Sequence, residues 1–159
     1  MKVLYESIIG RRERDNLGGY YTPDWLAERI VTEVIADPLH DRALDPGCGS
    51  GTFLFHAIRH YLAAADADGL SNEDAIRGAT EHVIGLDLHP LAVTFARVTY
   101  LLAIGMERLA ARRGPFSVRV YLGDSLLRRA RRSTAWCERN REVVGAMSIN
   151  APRAHLPAR

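Results

Sequence analysis

Three aspartates and one run of glycines carry most of the chemistry this sequence offers. Gly47-Cys48-Gly49-Ser50-Gly51 follows Ala43-Leu44-Asp45-Pro46. Asp87 closes the apolar run Val83-Ile84-Gly85-Leu86, and Asp124 follows Leu122-Gly123. Glycines between a strand and a helix let the backbone turn tightly and come close to a ligand. A dinucleotide site would ask for G-x-G-x-x-G with an acid about 20 residues further on. Here the spacing is G-x-G-x-G, and Asp87 comes 36 residues after Gly51. Asp45, just ahead of the loop, would repel a phosphate and suits a cation. A ligand with a cationic amino-acid end and a ribose would use all of these groups, and S-adenosylmethionine is such a ligand. Asp45 would lie near its positive methionine end, Asp87 would accept from the ribose hydroxyls, and Asp124 would accept from the adenine amine.

These groups need elements to hold them. Thr22-Pro23-Asp24 reads as a helix start, with Thr22 as cap, Pro23 at the first helical position and Asp24 at the positive helix end. Trp25, Leu26, Ile30, Val31, Val34 and Ile35 recur at helical spacing up to Asp37-Pro38, with Trp25 expected in the core. Ala43-Leu44-Asp45 is a short strand, and Phe53, Leu54, Ala57, Ile58 and Tyr61 give a helix after the glycines. Ser71-Asn72-Glu73-Asp74 resembles a capping box that opens a brief helix. Val83 to Asp87 has the continuous apolar character of a parallel strand buried on both faces. Pro90 opens a long helix, apolar over most of its circumference, that should pack heavily against a sheet. Phe116, Val118, Val120 and Leu122 alternate with Ser117, Arg119 and Tyr121 as a half-exposed strand. Strands alternating with helices predict a parallel α/β sheet, and ligands bind outside the carboxyl ends of such strands, where all three aspartates fall.

The composition fits this picture. The chain has 159 residues, 47% hydrophobic and 25% charged, which excludes collagen-like structure, a disulfide scaffold and chain-wide disorder. No apolar run approaches the ~20 residues of a membrane helix. Met1–Gly10 has no small-residue cleavage site, so no signal peptide is expected, and Cys48 and Cys137 read as unpaired thiols of a cytoplasmic protein. Residues 126–159 hold eight arginines against two acidic residues. Such a block suits either a phosphate backbone or a solvated tail. His56 and His60 lie four apart on one helix but have no third partner for a metal, so no metal site is expected. Cys48 has no base beside it in sequence and is not read as a nucleophile.

Leu44-Asp45-Pro46-Gly47-Cys48-Gly49-Ser50-Gly51-Thr52-Phe53-Leu54 resembles the first glycine motif of the N6-adenine DNA methyltransferases of restriction–modification systems. Leu17-Gly18-Gly19-Tyr20-Tyr21-Thr22-Pro23 is similar to that family's upstream motif, which helps hold the methionine end of the cofactor. Val83 to Pro90 looks like its ribose motif, and Leu122-Gly123-Asp124-Ser125-Leu126 like its adenine motif. The resemblance covers residues 11 to about 126. It implies a Rossmann-like class I methyltransferase fold, a three-layer α/β sandwich on a parallel sheet, here expected to hold only the first three to four strands. It implies S-adenosylmethionine as cofactor, bound by Tyr20, Tyr21, Thr22, Pro23, Asp45, Pro46, Gly47, Cys48, Gly49, Ser50, Gly51, Phe53, Asp87, Leu88, Asp124 and Ser125.

The family's catalytic motif, Asp/Asn-Pro-Pro-Tyr/Phe, accepts from the target amine and stacks on the flipped base. The candidate here is Ile149-Asn150-Ala151-Pro152-Arg153, which makes Asn150 the candidate catalytic residue. Ala151 stands where the family has its first proline, and Arg153 where it has its aromatic. The resemblance thus implies adenine methylation in duplex DNA, with a restriction or specificity subunit or a further C-terminal region as partner and no membrane. Two alternatives stay open: a fragment that holds S-adenosylmethionine but transfers nothing, and a class I methyltransferase acting on RNA, protein or a small molecule. The expected organisation is an arm with the upstream motif at 1–22, a cofactor-binding domain at 23–126 and a basic tail at 127–159.

Overall fold

The computed structural model describes residues 22–125. They form α1 (Asp24–Val34), β1 (Ala43–Asp45), α2 (Thr52–Ala67), α3 (Asn72–His82), β2 (Val83–Asp87), α4 (Pro90–Ile104), α5 (Met106–Ala111) and β3 (Val120–Leu122). The three strands pair in parallel in the order β1-β2-β3. The α/β reading therefore holds, with helices flanking a parallel sheet in the manner of a partial Rossmann-like methyltransferase fold. Both crossovers step in the same direction along the sheet. Right-handed connections then put α2 and α4 on one face, and these two helices pack along each other.

The core lies between that helix layer and the sheet. Leu54, Ile58, Ile84, Tyr100, Ile104 and Val120 are its largest fully buried side chains. The Tyr100 hydroxyl lies 3.0 Å from the Val83 carbonyl and 3.2 Å from the Ala79 carbonyl, so α4 is fastened to the α3–β2 junction. Arg97 donates Nε and Nη2 to the Val120 carbonyl at 3.1 and 2.9 Å, fastening α4 to β3. A side chain at the centre of β2 would force its neighbours to shift. A Cβ on Gly85 would come 2.6 Å from Leu54 Cδ1 and 3.2 Å from Cys48 Sγ. Ser71 caps α3 as its sequence suggests, accepting from the Asp74 amide at 3.1 Å.

Several local expectations are corrected. Thr22 does not cap α1, and Pro23 is not its first helical residue. Pro23 is itself the N-cap, in extended conformation, and its carbonyl accepts from the Leu26 and Ala27 amides. Trp25 is 66% exposed and not core. The face of α1 that meets α2 is set by Ala27 and Val31, and a residue two before Ala27 points away from it. β3 spans only Val120–Leu122, with Phe116 and Val118 half-buried ahead of it, and Leu122 is exposed at its end. The sequence reading also missed α5, which starts after Gly105 at φ +91° breaks α4.

Candidate functional site

The carboxyl ends of β1 and β2 bring the glycine loop against two carboxylates. Asp45 ends β1 opposite Gly85, and Asp87 ends β2 opposite Leu122. Backbone hydrogen bonds fix the loop between them. Cys48 N–H donates to the Leu86 carbonyl at 2.9 Å, and Gly51 N–H to the Cys48 carbonyl at 2.8 Å. Gly51 then starts α2 in the left-handed region, at φ +91°, with no side-chain cap. A Cβ there would lie 3.2 Å from Ala96 Cα, so glycine serves both the turn and the approach of α2 to α4. Above Gly47 and Gly49 the situation is the reverse: a Cβ would meet nothing within 4 Å.

Asp87 organises this edge. Its Oδ2 accepts from Gly49 N–H at 2.8 Å and its Oδ1 from His89 N–H at 2.8 Å. Its carbonyl accepts from Gly123 N–H at 2.9 Å, which brings the turn ahead of Asp124 to the same edge. The N-cap of α4 is His89, whose Nδ1 accepts from the Leu91 amide at 3.2 Å. An ionised carboxylate offers about four acceptor positions, so two amides leave Asp87 further capacity for hydroxyl donors.

Asp45 is in a different state. Its Oδ1 accepts from Gly47 N–H at 3.2 Å, while its Oδ2 is buried with no hydrogen-bond partner among the described residues. Burial pushes its carboxyl above the usual range and the Asp87 charge adds to this, against the Gly47 hydrogen bond. A buried acceptor without a donor is costly, and a buried carboxylate beside a second one more so. Among the described residues this carboxyl thus stays incompletely satisfied. Cys48 is buried beneath the loop, and burial, with the Asp45 and Asp87 charges behind it, pushes its thiol far above the usual range. A thiol so disposed is inert packing and no nucleophile.

The other residues picked out in the sequence differ in burial. Pro46 is exposed and Ser50 half-buried in the loop, Phe53 packs on the core from α2, and Leu88 is 59% exposed just past Asp87. Asp124 is half-buried and Ser125 exposed. Thr22 is half-buried and Pro23 exposed, at the start of α1. Tyr20, Tyr21 and Asn150, with the Asn150-Ala151-Pro152-Arg153 segment, lie outside the described residues.

One feature of this region was not assigned from the sequence. His56, in α2, donates from Nε2 to Asp24 Oδ1 at 3.0 Å, and His60, one turn later, donates to the Ile35 carbonyl at 3.1 Å. The i, i+4 spacing of the two histidines was the available signal, but it pointed only toward metal ligation.

The sequence family described as N-6 DNA Methylase matches residues 2–114. The chain is also 29% identical over 120 residues, 67% of its length, to the adenine-specific methyltransferase PglX of Streptomyces coelicolor. It spans about a tenth of that relative's length.

Proposed function

Since the chain belongs to the N-6 DNA methylase family, we propose that it binds S-adenosylmethionine at the carboxyl edge of its sheet, as the cofactor-holding part of an enzyme that methylates adenine N6 in DNA. The observation that carries this reading is Asp45. Its buried Oδ2 has no donor among the described residues and sits ahead of a glycine loop with open space above it. The ammonium of a methionine end lying over Gly47 and Gly49 would be attracted by the Asp45 carboxylate, where a phosphate would be repelled.

When bound, S-adenosylmethionine supplies a methyl group made electrophilic by its sulfonium. The chain's own residues hold and orient. Asp45 accepts from the ammonium, and the Gly47–Gly51 backbone lets the ligand approach. Asp87, already gripping Gly49 and His89, accepts from the ribose hydroxyls with its remaining capacity. Leu88 offers an apolar surface to the adenine, and Asp124 and Ser125 take the adenine amine. Tyr20, Tyr21, Thr22 and Pro23 close the methionine end, and Pro46, Cys48, Ser50 and Phe53 shape the loop. Asn150 is the residue that the family resemblance implies for accepting from the target amine. The organisation proposed is an arm at 1–22, the cofactor-binding unit at 23–126 and a basic tail at 127–159. The partners are duplex DNA and a specificity or restriction subunit or further region of the protein, in the cytoplasm.

A second reading is favoured by one observation. Ala151 and Arg153 stand where a proline and an aromatic are expected, so this chain by itself holds the cofactor without transferring its methyl group. Calorimetric titration of the chain with S-adenosylmethionine and, separately, with NAD tests the common premise of both. Heat with S-adenosylmethionine and none with NAD supports it. Heat with NAD alone overturns it.

A further inference from the structure

We infer that His56 and Asp24 are a positioning pair, which sets the Thr22-Pro23 segment against the glycine loop and thereby tunes cofactor affinity without touching the cofactor. The inference rests on the cofactor reading above.

Two of the proposed cofactor-contacting segments lead directly into a helix. The glycine loop runs into α2 at Thr52, and Thr22-Pro23 runs into α1 at Asp24. Among the described residues no side chain caps the start of α1. Pro23 is its N-cap and supplies no side-chain acceptor, so the first turn is held within the helix only by the Pro23 carbonyl. Asp24 is well placed to stabilise the positive helix end, but its carboxylate also reaches across to α2. It accepts from His56 Nε2 at 3.0 Å. A carboxylate can only accept, so Nε2 carries the proton.

The two partners differ sharply in setting. The His56 side chain is 9% exposed and the Asp24 side chain 73%. The imidazole is therefore held in place by its surroundings, with the Phe55 ring edge-on at 5.4 Å, and Asp24 is the member that moves to meet it. One turn along α2, His60 donates to the Ile35 carbonyl at the C-cap of α1. That carbonyl lies among the groups a helix end leaves without internal partners. Between these two attachments the buried residues of α1 are the apolar Ala27 and Val31. Apolar contact of this kind tolerates sliding, whereas two directional bonds do not. His56 lies one turn beyond Gly51, so any shift of α1 at this bond moves Pro23 relative to the loop.

The test is calorimetric titration of the full chain with S-adenosylmethionine, for wild type, His56→Leu, His56→Gln and Asp24→Ala. Circular dichroism and the thermal midpoint are recorded for each. Loss of one hydrogen bond to a charged group corresponds to about a tenfold change in affinity. His56→Leu keeps the packing but not the donor, and should bind about tenfold more weakly. Asp24→Ala removes only an exposed carboxylate, so it should fold, and should show the same loss. His56→Gln places an amide donor near Asp24 and should recover most of the affinity, whatever its thermal midpoint. A purely structural role would make affinity follow stability instead, with Gln and Leu alike. Wild-type affinity in His56→Leu and Asp24→Ala, or equal weakness in Leu and Gln, overturns the positioning role and leaves the cofactor reading standing. No heat from the wild type with S-adenosylmethionine overturns both.

Discussion

Replacing Asp45 by asparagine should stabilise the ligand-free protein while weakening its hold on S-adenosylmethionine. Asparagine keeps an oxygen to accept from Gly47 N–H, the contact now made by Oδ1 at 3.2 Å. It removes a charge whose other oxygen is buried without a partner among the described residues and which Asp87 repels. An unsatisfied buried polar group costs about 1–3 kcal/mol, and the amide nitrogen that takes its place is itself unpaired, so the net gain should lie near the lower end, about 1 kcal/mol. For a chain of this size that is about 2–4 °C in thermal midpoint.

The gain must depend on pH. The folded-state pKa of Asp45 is raised above its ordinary value of 3.8. A raised carboxyl contributes stability that is fully present below 3.8 and is lost as pH rises through the folded value. Wild type and Asp45→Asn should therefore differ least near pH 3.8, diverge as pH rises, and keep a constant gap beyond the folded pKa. Calorimetric melts of both proteins from pH 3.5 to 8 measure this. Adding S-adenosylmethionine should then raise the wild-type midpoint more than the variant's, because the ligand stabilises only what it binds. A variant that melts at or below wild type throughout, or a gap that does not change with pH, would refute the account of Asp45 as a strained carboxylate awaiting a cation.

Two further substitutions probe the frame of the site. Gly51→Ala must adopt φ +91° and press a Cβ to 3.2 Å from Ala96 Cα, so it should lose roughly 2 kcal/mol in urea unfolding and bind S-adenosylmethionine more weakly; unchanged stability would contradict the tight α2–α4 approach. Tyr100→Phe removes the hydroxyl 3.0 Å from the Val83 carbonyl and should lower the unfolding free energy by about 1–2 kcal/mol, read as a lower urea midpoint with an unchanged denaturant slope, whereas a neutral result would show that this buried hydroxyl does not fasten α4.

Much of this arrangement is legible in local sequence. The strand–loop–helix sense of Leu44 to Leu54, the buried character of β2 and the Ser71 cap are short-range effects, decided by glycine spacing, apolar runs and capping chemistry. The placement of Asp45 and Asp87 at strand ends follows from the same reading. What sequence could not supply depends on partners distant in the chain. Asp87 looked like a free acceptor, but it already holds Gly49, 38 residues away. Trp25 looked like core because the apolar pattern of α1 gives no direction, and the direction is set by α2. Asp24 reads as a helix-start acid in any sequence, and only the fold places His56 against it. That Asp45 Oδ2 has no partner among the described residues is a property of burial, which no residue pattern states.

The central claim is that the carboxyl edge of this sheet holds S-adenosylmethionine, and the amide resonances of the protein test it most directly. Titration of isotope-labelled chain with S-adenosylmethionine, followed by two-dimensional NMR, should move the amides of Gly47, Gly49, Leu88, His89 and Gly123 in a saturable way. Amides at the far ends of the strands, such as Ala43 and Val83, should stay in place. NAD at the same concentrations should leave all of them unmoved. Shifts confined to other faces, or equal shifts with NAD, would contradict the claim.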